Sequence, residues 1–277
     1  MHVACRRLYA DQIQPYRMTK RTARGKRPGK RPEMQLDHPV QSHPIGWHVI
    51  FEWVTKGSHF SQAKLNMTSQ SAPWITYRPQ LKVLDCTIRD GGLINNHQFS
   101  DELVRAVYDA CVEAGVDYME VGYKASPRLH PRDKFGATRF TDEEWLNRMF
   151  PDHDEDKVGL KLTVMADAGK CDWTEQIVPR TESKIAMVRV AFYAHQVSEA
   201  VEMIEHCHKL GYETSANLMA VSGITEIEID TVLTAIAPTH AGTMCIVDSF
   251  GHLYREQIDQ LYTKYSTALA GTGKEIG

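Results

Sequence analysis

The stretch LDCTIRDGG, residues 84–92, ends an apolar run with an arginine, an aspartate and two glycines. It predicts a strand over residues 81–88, followed by Arg89 and Asp90 and a turn at the glycines. Asp-Gly and Gly-Gly are also ordinary turn dipeptides, so the charged pair by itself need not be functional. Whether it belongs to a site depends on where the following strands end.

Downstream of this stretch, strand-like and helix-like segments alternate. The strands predicted from the sequence are 81–88, 117–123, 160–167, 185–193, 213–222 and 243–250. The predicted helices are 100–115, 141–150, 172–179, 197–211 and 254–271, with one more beginning near Thr225. Capping boxes are predicted at Thr141–Glu144 and at Thr225–Glu228. Strands that alternate with helices at this spacing predict a parallel sheet.

Two architectures fit a parallel sheet with helical crossovers, an open doubly wound sheet and a TIM (β/α)₈ barrel. An open sheet often carries a glycine-rich phosphate loop after its first strand, but GxGxxG is absent, and we expect no helix to begin at RDGGLINNH (89–97). Polar residues instead lie where the predicted strands end, which is where barrel enzymes place their catalytic groups: Arg89, Asp90, Glu120, Lys124, Asp167, Asp248 and Ser249. We therefore predict an incomplete TIM (β/α)₈-type barrel with about six βα units.

The first 66 residues differ from the rest of the chain in charge. They hold 12 Lys/Arg against 4 Asp/Glu, whereas residues 67–277 hold 20 against 31. Residues 17–33 are basic, rich in proline and glycine, and lack apolar periodicity, which predicts disorder. We expect residues 1–66 to be a disordered extension and 67–277 to be a partial barrel domain. A nucleic-acid-binding arm and a transit peptide are the alternatives for the extension.

Cysteine spacing and hydropathy indicate the class of protein. The six cysteines (5, 86, 111, 171, 207, 245) are scattered and form no CxxC pair, which predicts reduced thiols in a cytoplasmic protein. No apolar run approaches the roughly 18 residues that a membrane span needs. We expect neither a membrane nor a nucleic-acid partner.

The charged residues after the first two strands suggest a particular chemistry. Asp90 is a hard oxygen ligand suited to Mg²⁺ or Mn²⁺. Arg89 offers a planar fork for a carboxylate or an enolate oxygen, and Glu120 could hold that guanidinium in place. An ordinary Arg–Glu ion pair beneath a glycine turn explains the same residues, and spacing does not decide between these interpretations.

Four further matches give the stretch a family resemblance. LDCTIRDGG, followed by NNHQFS and by MEVGY thirty residues after Asp90, resembles the opening of the DRE-TIM metallolyase superfamily. That superfamily includes 4-hydroxy-2-oxovalerate aldolase, hydroxymethylglutaryl-CoA lyase and the isopropylmalate synthases. VRVAFY and VDSFG are weaker matches later in the chain.

The resemblance implies a role for each matched residue. Asp90 would bind a divalent metal, Mn²⁺ or Mg²⁺, and Arg89 would stabilise the enolate oxygen of a pyruvate-like fragment. Glu120 would orient Arg89, and Ser249 falls where the aldolases bind the substrate carboxylate. The implied reaction makes or breaks a carbon–carbon bond next to a 2-oxo acid.

The sequence departs from the family pattern in two places. Leu93 stands where the aldolases have a catalytic histidine, and His97 is the nearest candidate for a catalytic role. The family's His-x-His metal pair follows the seventh strand, whereas the sequence closes on GTGKEIG, so we expect truncation before that pair. His206 and His208 have the spacing but fall within a helix, where they do not share a face.

Basic residues in segment 124–139, among them Lys124 and Arg128, predict a clamp for an anionic substrate. A solvated loop balanced by nearby acids is the alternative. The leading hypothesis for the chain is a divalent-metal-dependent aldolase acting on a small 2-oxo acid, as a monomer or a homodimer. An acyl-CoA-dependent lyase or synthase and a non-catalytic partial barrel remain open.

Overall fold

A computed structural model describes residues 80–277 of the chain. The predicted extension 1–66 and the domain boundary at residue 67 lie outside the described residues. Within residues 80–277, no helix is both long and apolar enough to cross a membrane.

A single parallel sheet organises the described residues, and its strands follow one another in sequence order. The strands are β1 (Leu84–Asp85), β2 (Tyr118–Tyr123), β3 (Lys161–Asp167), β4 (Ile185–Phe192), β5 (Glu213–Leu218), β6 (Thr243–Ile246) and β7 (Glu275–Ile276). Each strand pairs in parallel with the next. The sheet curls into about half of a barrel with helices, which confirms the predicted incomplete TIM-type fold. β7 lies within GTGKEIG, the last seven residues of the sequence.

Helices follow the strands as crossover connections. They are α1 (Thr87–Asn95), α2 (Asp101–Ala114), α3 (Glu143–Met149), α4 (Glu155–Val158), α5 (Trp173–Gln176), α6 (Val197–Lys209), α7 (Glu226–Ile236) and α8 (Arg255–Ala268). Ser100 caps α2, since its hydroxyl accepts a hydrogen bond from the backbone of Leu103, and Gly115 ends the helix in the left-handed conformation.

Alternation along each strand separates the helix-covered core from the barrel interior. On β3, the fully buried Leu162, Val164 and Ala166 belong to the main hydrophobic core. The residues that alternate with them along β3 face the interior. Lys161 contacts Glu213 near the amino ends of the strands, and Met165 packs in a small separate cluster towards the carboxyl ends. The strands therefore order the interior residues in layers from the amino to the carboxyl ends.

The prediction of a strand over 81–88 and of no helix at RDGGLINNH is wrong. The strand has two residues, and α1 begins at Thr87, whose backbone and hydroxyl both donate hydrogen bonds to the Asp85 carboxylate. Gly92 lies inside α1 because the His97 ring packs against it, and a Cβ there would be 2.2 Å from His97 Nδ1. Two glycines in sequence suggest a turn, and this tertiary contact overrides that local preference.

One of the two predicted capping boxes is present. At α7, Glu228 N donates to Thr225 Oγ1 and Thr225 N donates to Glu228 Oε2, at 3.3 and 2.8 Å. The box predicted at Thr141–Glu144 is absent, because Thr141 is buried and donates its hydroxyl to the Tyr123 carbonyl at 2.7 Å. α3 begins after Asp142 instead.

Candidate active site

Glu120 lies at the centre of a charged cluster inside the half-barrel. Its side chain on β2 is fully buried. Its Oε2 atom accepts a hydrogen bond from Arg89 Nε at 2.6 Å and another from Arg189 Nη1 at 2.8 Å. The structure thus brings Arg89 and Glu120 together as the sequence predicted. It adds a second arginine on the same carboxylate oxygen.

Arg89 extends from the first turn of α1, with its guanidinium held on several sides. Its Nη1 atom contacts the Asp90 carboxylate, and its guanidinium carbon is 5.9 Å from the centroid of the Tyr123 ring. Burial would lower the pKa of Arg89, but Glu120, Tyr123 and Asp90 together raise it above its ordinary value. The guanidinium therefore stays charged, and its orientation is set by Glu120.

Arg189 is a site residue that sequence reasoning missed. It lies in the middle of β4, and its Nη2 atom donates to Asn217 Oδ1 on β5 at 3.0 Å. Asn217 in turn donates to Ser215 Oγ at 3.0 Å. The available signal was an arginine inside the apolar strand IAMVRVAF, since such a residue needs a partner in the interior. VRVAFY suggested only the family resemblance.

Two cysteines border the cluster. Cys86 Sγ is 3.4 Å from Glu120 Oε2, and burial together with Glu120 raises the pKa of Cys86 to about 11. Burial also raises the pKa of Cys245. Both thiols are therefore protonated at neutral pH and are poor nucleophiles. All five cysteines in the described range are free thiols, as predicted.

Asp90, the predicted metal ligand, has a side chain that is 59% exposed beside Arg89. Among residues 80–277, no group of three or more His, Cys, Asp or Glu side chains is arranged to hold a metal ion. A catalytic divalent ion is typically held by about three protein ligands. The described residues alone therefore do not fit a tightly held metal, and the metal role of Asp90 stays a prediction.

His97, the predicted catalytic histidine, is buried behind α1. Its Nδ1 atom is 3.1 Å from Thr138 Oγ1, and its ring meets the Tyr123 ring edge-on with centroids 5.4 Å apart. Burial, with the positive charge of Arg139, lowers the pKa of His97 to about 3. The imidazole is neutral at ordinary pH, and 1% of the residue is exposed. The ring therefore packs beneath the site, and the catalytic role of His97 stays a prediction.

Lys124 and Arg128 line a different cavity of about 470 Å³. Lys124 Nζ donates to Glu143 Oε1 and to the Thr141 carbonyl, both at 2.8 Å. Arg128 pairs with Asp172 and with Glu175. These pairs match the alternative of a loop balanced by acids. The substrate roles of Lys124 and Arg128 stay predictions.

Ser249, the predicted carboxylate-binding residue, stabilises the loop after β6. Its Oγ atom accepts a hydrogen bond from the Ala220 backbone at 3.0 Å. The neighbouring Asp248 accepts hydrogen bonds from Ser222 Oγ at 2.6 Å and from Leu253 N at 2.8 Å. These bonds fix the loop at the carboxyl end of the sheet. The binding role of Ser249 stays a prediction.

Sequence comparison finds two aldolases among the relatives of this chain, while no family model matches it. A 4-hydroxy-2-oxovalerate aldolase from Pelotomaculum thermopropionicum is 24% identical over 182 residues, covering 66% of this chain and 52% of that protein. 4-Hydroxy-2-oxovalerate aldolase 6 from Rhodococcus jostii is 23% identical over 191 residues, covering 68% and 52%. The chain thus spans about half the length of the curated relatives it matches.

Two solved structures share the fold. The N-terminal domain of a putative aldolase from Bacteroides vulgatus has a TM-score of 0.54 and 23% identity, over 71% of this chain and 62% of that chain. The HMG-CoA lyase from Brucella melitensis has a TM-score of 0.51 and 12% identity, over 68% of each chain. At these identities the structural likeness shows the fold. The aldolase relatives and the LDCTIRDGG motif, together with this shared fold, support a DRE-TIM metallolyase-like domain in this chain.

Proposed function

We propose that the chain catalyses an aldolase-type carbon–carbon cleavage of a 2-oxo acid, with Arg89 binding the oxygen that becomes negative. The main observation in support is that the buried carboxylate of Glu120 fixes the guanidinium of Arg89 beside that of Arg189. Arg89 and Arg189 carry two positive charges against the buried Glu120 carboxylate and the exposed Asp90 carboxylate, so the Arg89 guanidinium is held in place as a fixed positive charge. Such a fixed charge in a poorly solvated site stabilises a developing oxyanion strongly.

The proposed step is a retro-aldol cleavage of a 4-hydroxy-2-oxo acid. A base removes the proton of the 4-hydroxyl group, the C3–C4 bond breaks, and C4 leaves as an aldehyde. The electron pair of that bond forms the C2–C3 double bond of an enolate, whose oxygen Arg89 would bind. Protonation at C3 then gives the shorter 2-oxo acid. Arg89 would act mainly on the enolate, because charge develops there during the reaction.

A divalent metal is part of the proposal through the family resemblance. Asp90 would supply one oxygen ligand to Mg²⁺ or Mn²⁺. Further ligands would come from solvent or from the substrate. The ion would act as a Lewis acid.

The acyl-CoA alternative uses the same arginine for a thioester-derived enolate. The HMG-CoA lyase neighbour shows only a shared fold. The aldolase relatives match in sequence over about two thirds of this chain, which favours the oxo-acid reaction.

The test is pyruvate release from 4-hydroxy-2-oxovalerate with Mn²⁺, followed with lactate dehydrogenase and NADH. Wild type should release pyruvate, and Arg89→Ala should lose at least about a hundredfold in rate, as removal of an oxyanion donor typically does. Arg255→Ala, in which a side chain that is 89% exposed is removed, is the matched control and should keep the wild-type rate. Turnover of an acyl-CoA thioester with no turnover of the oxo acid would contradict the proposal. Equal rates for Arg89→Ala and wild type would contradict it as well.

A further inference from the structure

Asp167 is the last residue of β3 and faces the same side of the sheet as the site. It continues the interior-facing series of Lys161, Thr163 and Met165 along the strand. Asp167 pairs in register with Ala191 on β4. Ala191 packs with Met165 and Tyr123 in the small apolar cluster. Asp167 therefore lies at the carboxyl end of the sheet, where barrel enzymes carry out their chemistry.

The carboxylate of Asp167 is incompletely paired. The Oδ1 atom is buried and has no hydrogen-bond partner among the described residues, although the whole side chain remains 13% exposed. The Oδ2 atom is 3.6 Å from Lys170 Nζ, which is too far for a hydrogen bond. A buried carboxylate oxygen without a partner costs stability, so its presence at a strand end calls for an explanation.

The charges around Asp167 act in opposite directions. Burial raises the pKa of this carboxyl above its ordinary value, while Lys170, Arg139 and Arg89 act to lower it. The net effect is a raised pKa, which moves the carboxylate towards the range that suits a general base near neutral pH. The buried, unpartnered oxygen gives the geometric reason for this shift.

Other acid–base groups around the site are less suitable. His97 is buried and stays neutral with a pKa of about 3. Cys86 has a pKa of about 11, and burial raises the pKa of Tyr123 well above its ordinary value. Leu93 cannot carry a proton at all. Asp167 is thus the best-placed proton acceptor among these groups.

We propose that Asp167 is the group that accepts the proton of the substrate 4-hydroxyl in the cleavage step, an assignment that rests on the proposed aldolase function. Its carboxylate takes that proton as the C3–C4 bond breaks and the bonding electron pair moves into the enolate held by Arg89. The carboxyl group, now protonated, can return the proton to C3 of the enolate. The carboxylate is then regenerated without any further reactant.

The test compares wild type with Asp167→Asn, using Asp152→Asn at an exposed position away from the site as the matched control. Loss of a general base should lower kcat for pyruvate release by about a hundredfold or more. The rise of kcat/KM with pH that reports ionisation of Asp167 should also disappear. Binding of oxalate, an analogue of the enolate, should stay within about twofold because Arg89 is intact. The Asp152→Asn protein should match wild type in all three measurements.

Thermal unfolding separates a proton-transfer role from a structural one. A carboxyl whose pKa is raised in the folded state destabilises the protein once pH exceeds the unfolded value of about 3.9. Asp167→Asn should therefore raise the unfolding midpoint near pH 7 while it lowers kcat. A lower midpoint, or wild-type kcat with an unchanged pH profile, would overturn the assignment.

The outcomes also distinguish this assignment from the proposed function. If wild type releases pyruvate, Arg89→Ala is inactive and Asp167→Asn is fully active, only the role of Asp167 fails. If wild type neither releases pyruvate nor binds oxalate, the proposed function fails and the role of Asp167 fails with it.

Discussion

At the scale of single residues, one buried carboxylate determines the arrangement of the site. Glu120 Oε2 is shared by Arg89 and Arg189, so its charge both holds the arginines and partly neutralises them. The motif resemblance allowed Arg89 and Glu120 to be predicted. Arg189 was not predicted, because its partners come from β2 and β5, and the sequence does not show which side chains meet across a sheet.

Replacing Glu120 should destabilise the fold. Glu120→Gln would leave two buried guanidinium groups without their shared anion, and breaking a buried pair in this way typically costs about 3–5 kcal/mol. Urea unfolding of the variant should show a loss of about this size. Glu113→Gln, at an exposed position of α2, is the control and should change stability by less than about 0.5 kcal/mol. A loss below about 1 kcal/mol for Glu120→Gln would contradict the arrangement.

His97 should make the protein sensitive to acid. Its pKa is about 3 in the folded state and near 6.5 in an unfolded chain, so the unfolded state binds more protons between these values. Stability should therefore fall as pH decreases through this window, with a His97 contribution of about 2 kcal/mol at about pH 5.

The measurement is the difference in unfolding free energy between about pH 7 and about pH 5. His97→Gln should lose the His97 contribution to this difference, whereas His252→Gln, at an exposed position, is the control and should keep it. His153, whose pKa burial lowers to about 4, should preserve part of the difference in both variants. An unchanged difference in His97→Gln would show that the histidine is not buried in its neutral form.

At the scale of elements, contacts made in the folded chain determine how far α1 extends and where α3 begins, and local sequence preference did not predict either. α1 continues through Gly91 and Gly92 because the His97 ring needs the space of a missing side chain. The cap at α7 was predictable because a capping box is purely local. The absence of a capping box at Thr141 was not predictable, because the Thr141 hydroxyl donates a hydrogen bond to the Tyr123 carbonyl on β2.

Gly122 on β2 should be the glycine least tolerant of substitution in this part of the fold. A Cβ there would lie 1.8 Å from the Thr138 carbonyl oxygen, and its φ is +154°. Gly122→Ala should therefore prevent folding or cost more than about 4 kcal/mol. Gly115→Ala is the control, because its φ of +68° is also positive but nothing lies within 4 Å, and it should cost about 1 kcal/mol. Circular dichroism melts would check both, and similar melting temperatures would contradict the packing.

At the scale of the whole molecule, the alternation of strands and helices was enough to predict the parallel sheet. The order β1 to β7 follows the chain because each crossover returns to the neighbouring position. The carboxyl ends of these strands bring Arg89, Tyr123 and Asp167 to one end of the sheet. Arg189 and the proposed proton acceptor Asp167 were harder to predict, because their roles depend on charges that meet only in three dimensions.

The central claim is that Arg89, held by Glu120, stabilises an enolate of a 2-oxo acid. The most direct measurement is exchange of the pyruvate methyl protons with D₂O, followed by ¹H NMR with Mg²⁺ present, because exchange proceeds through that enolate. Wild type should catalyse the exchange, and Arg89→Lys should slow it by about a hundredfold or more, since an ammonium group does not reproduce the planar fork. Exchange by Arg89→Lys at the wild-type rate, or no exchange by wild type, would contradict the account.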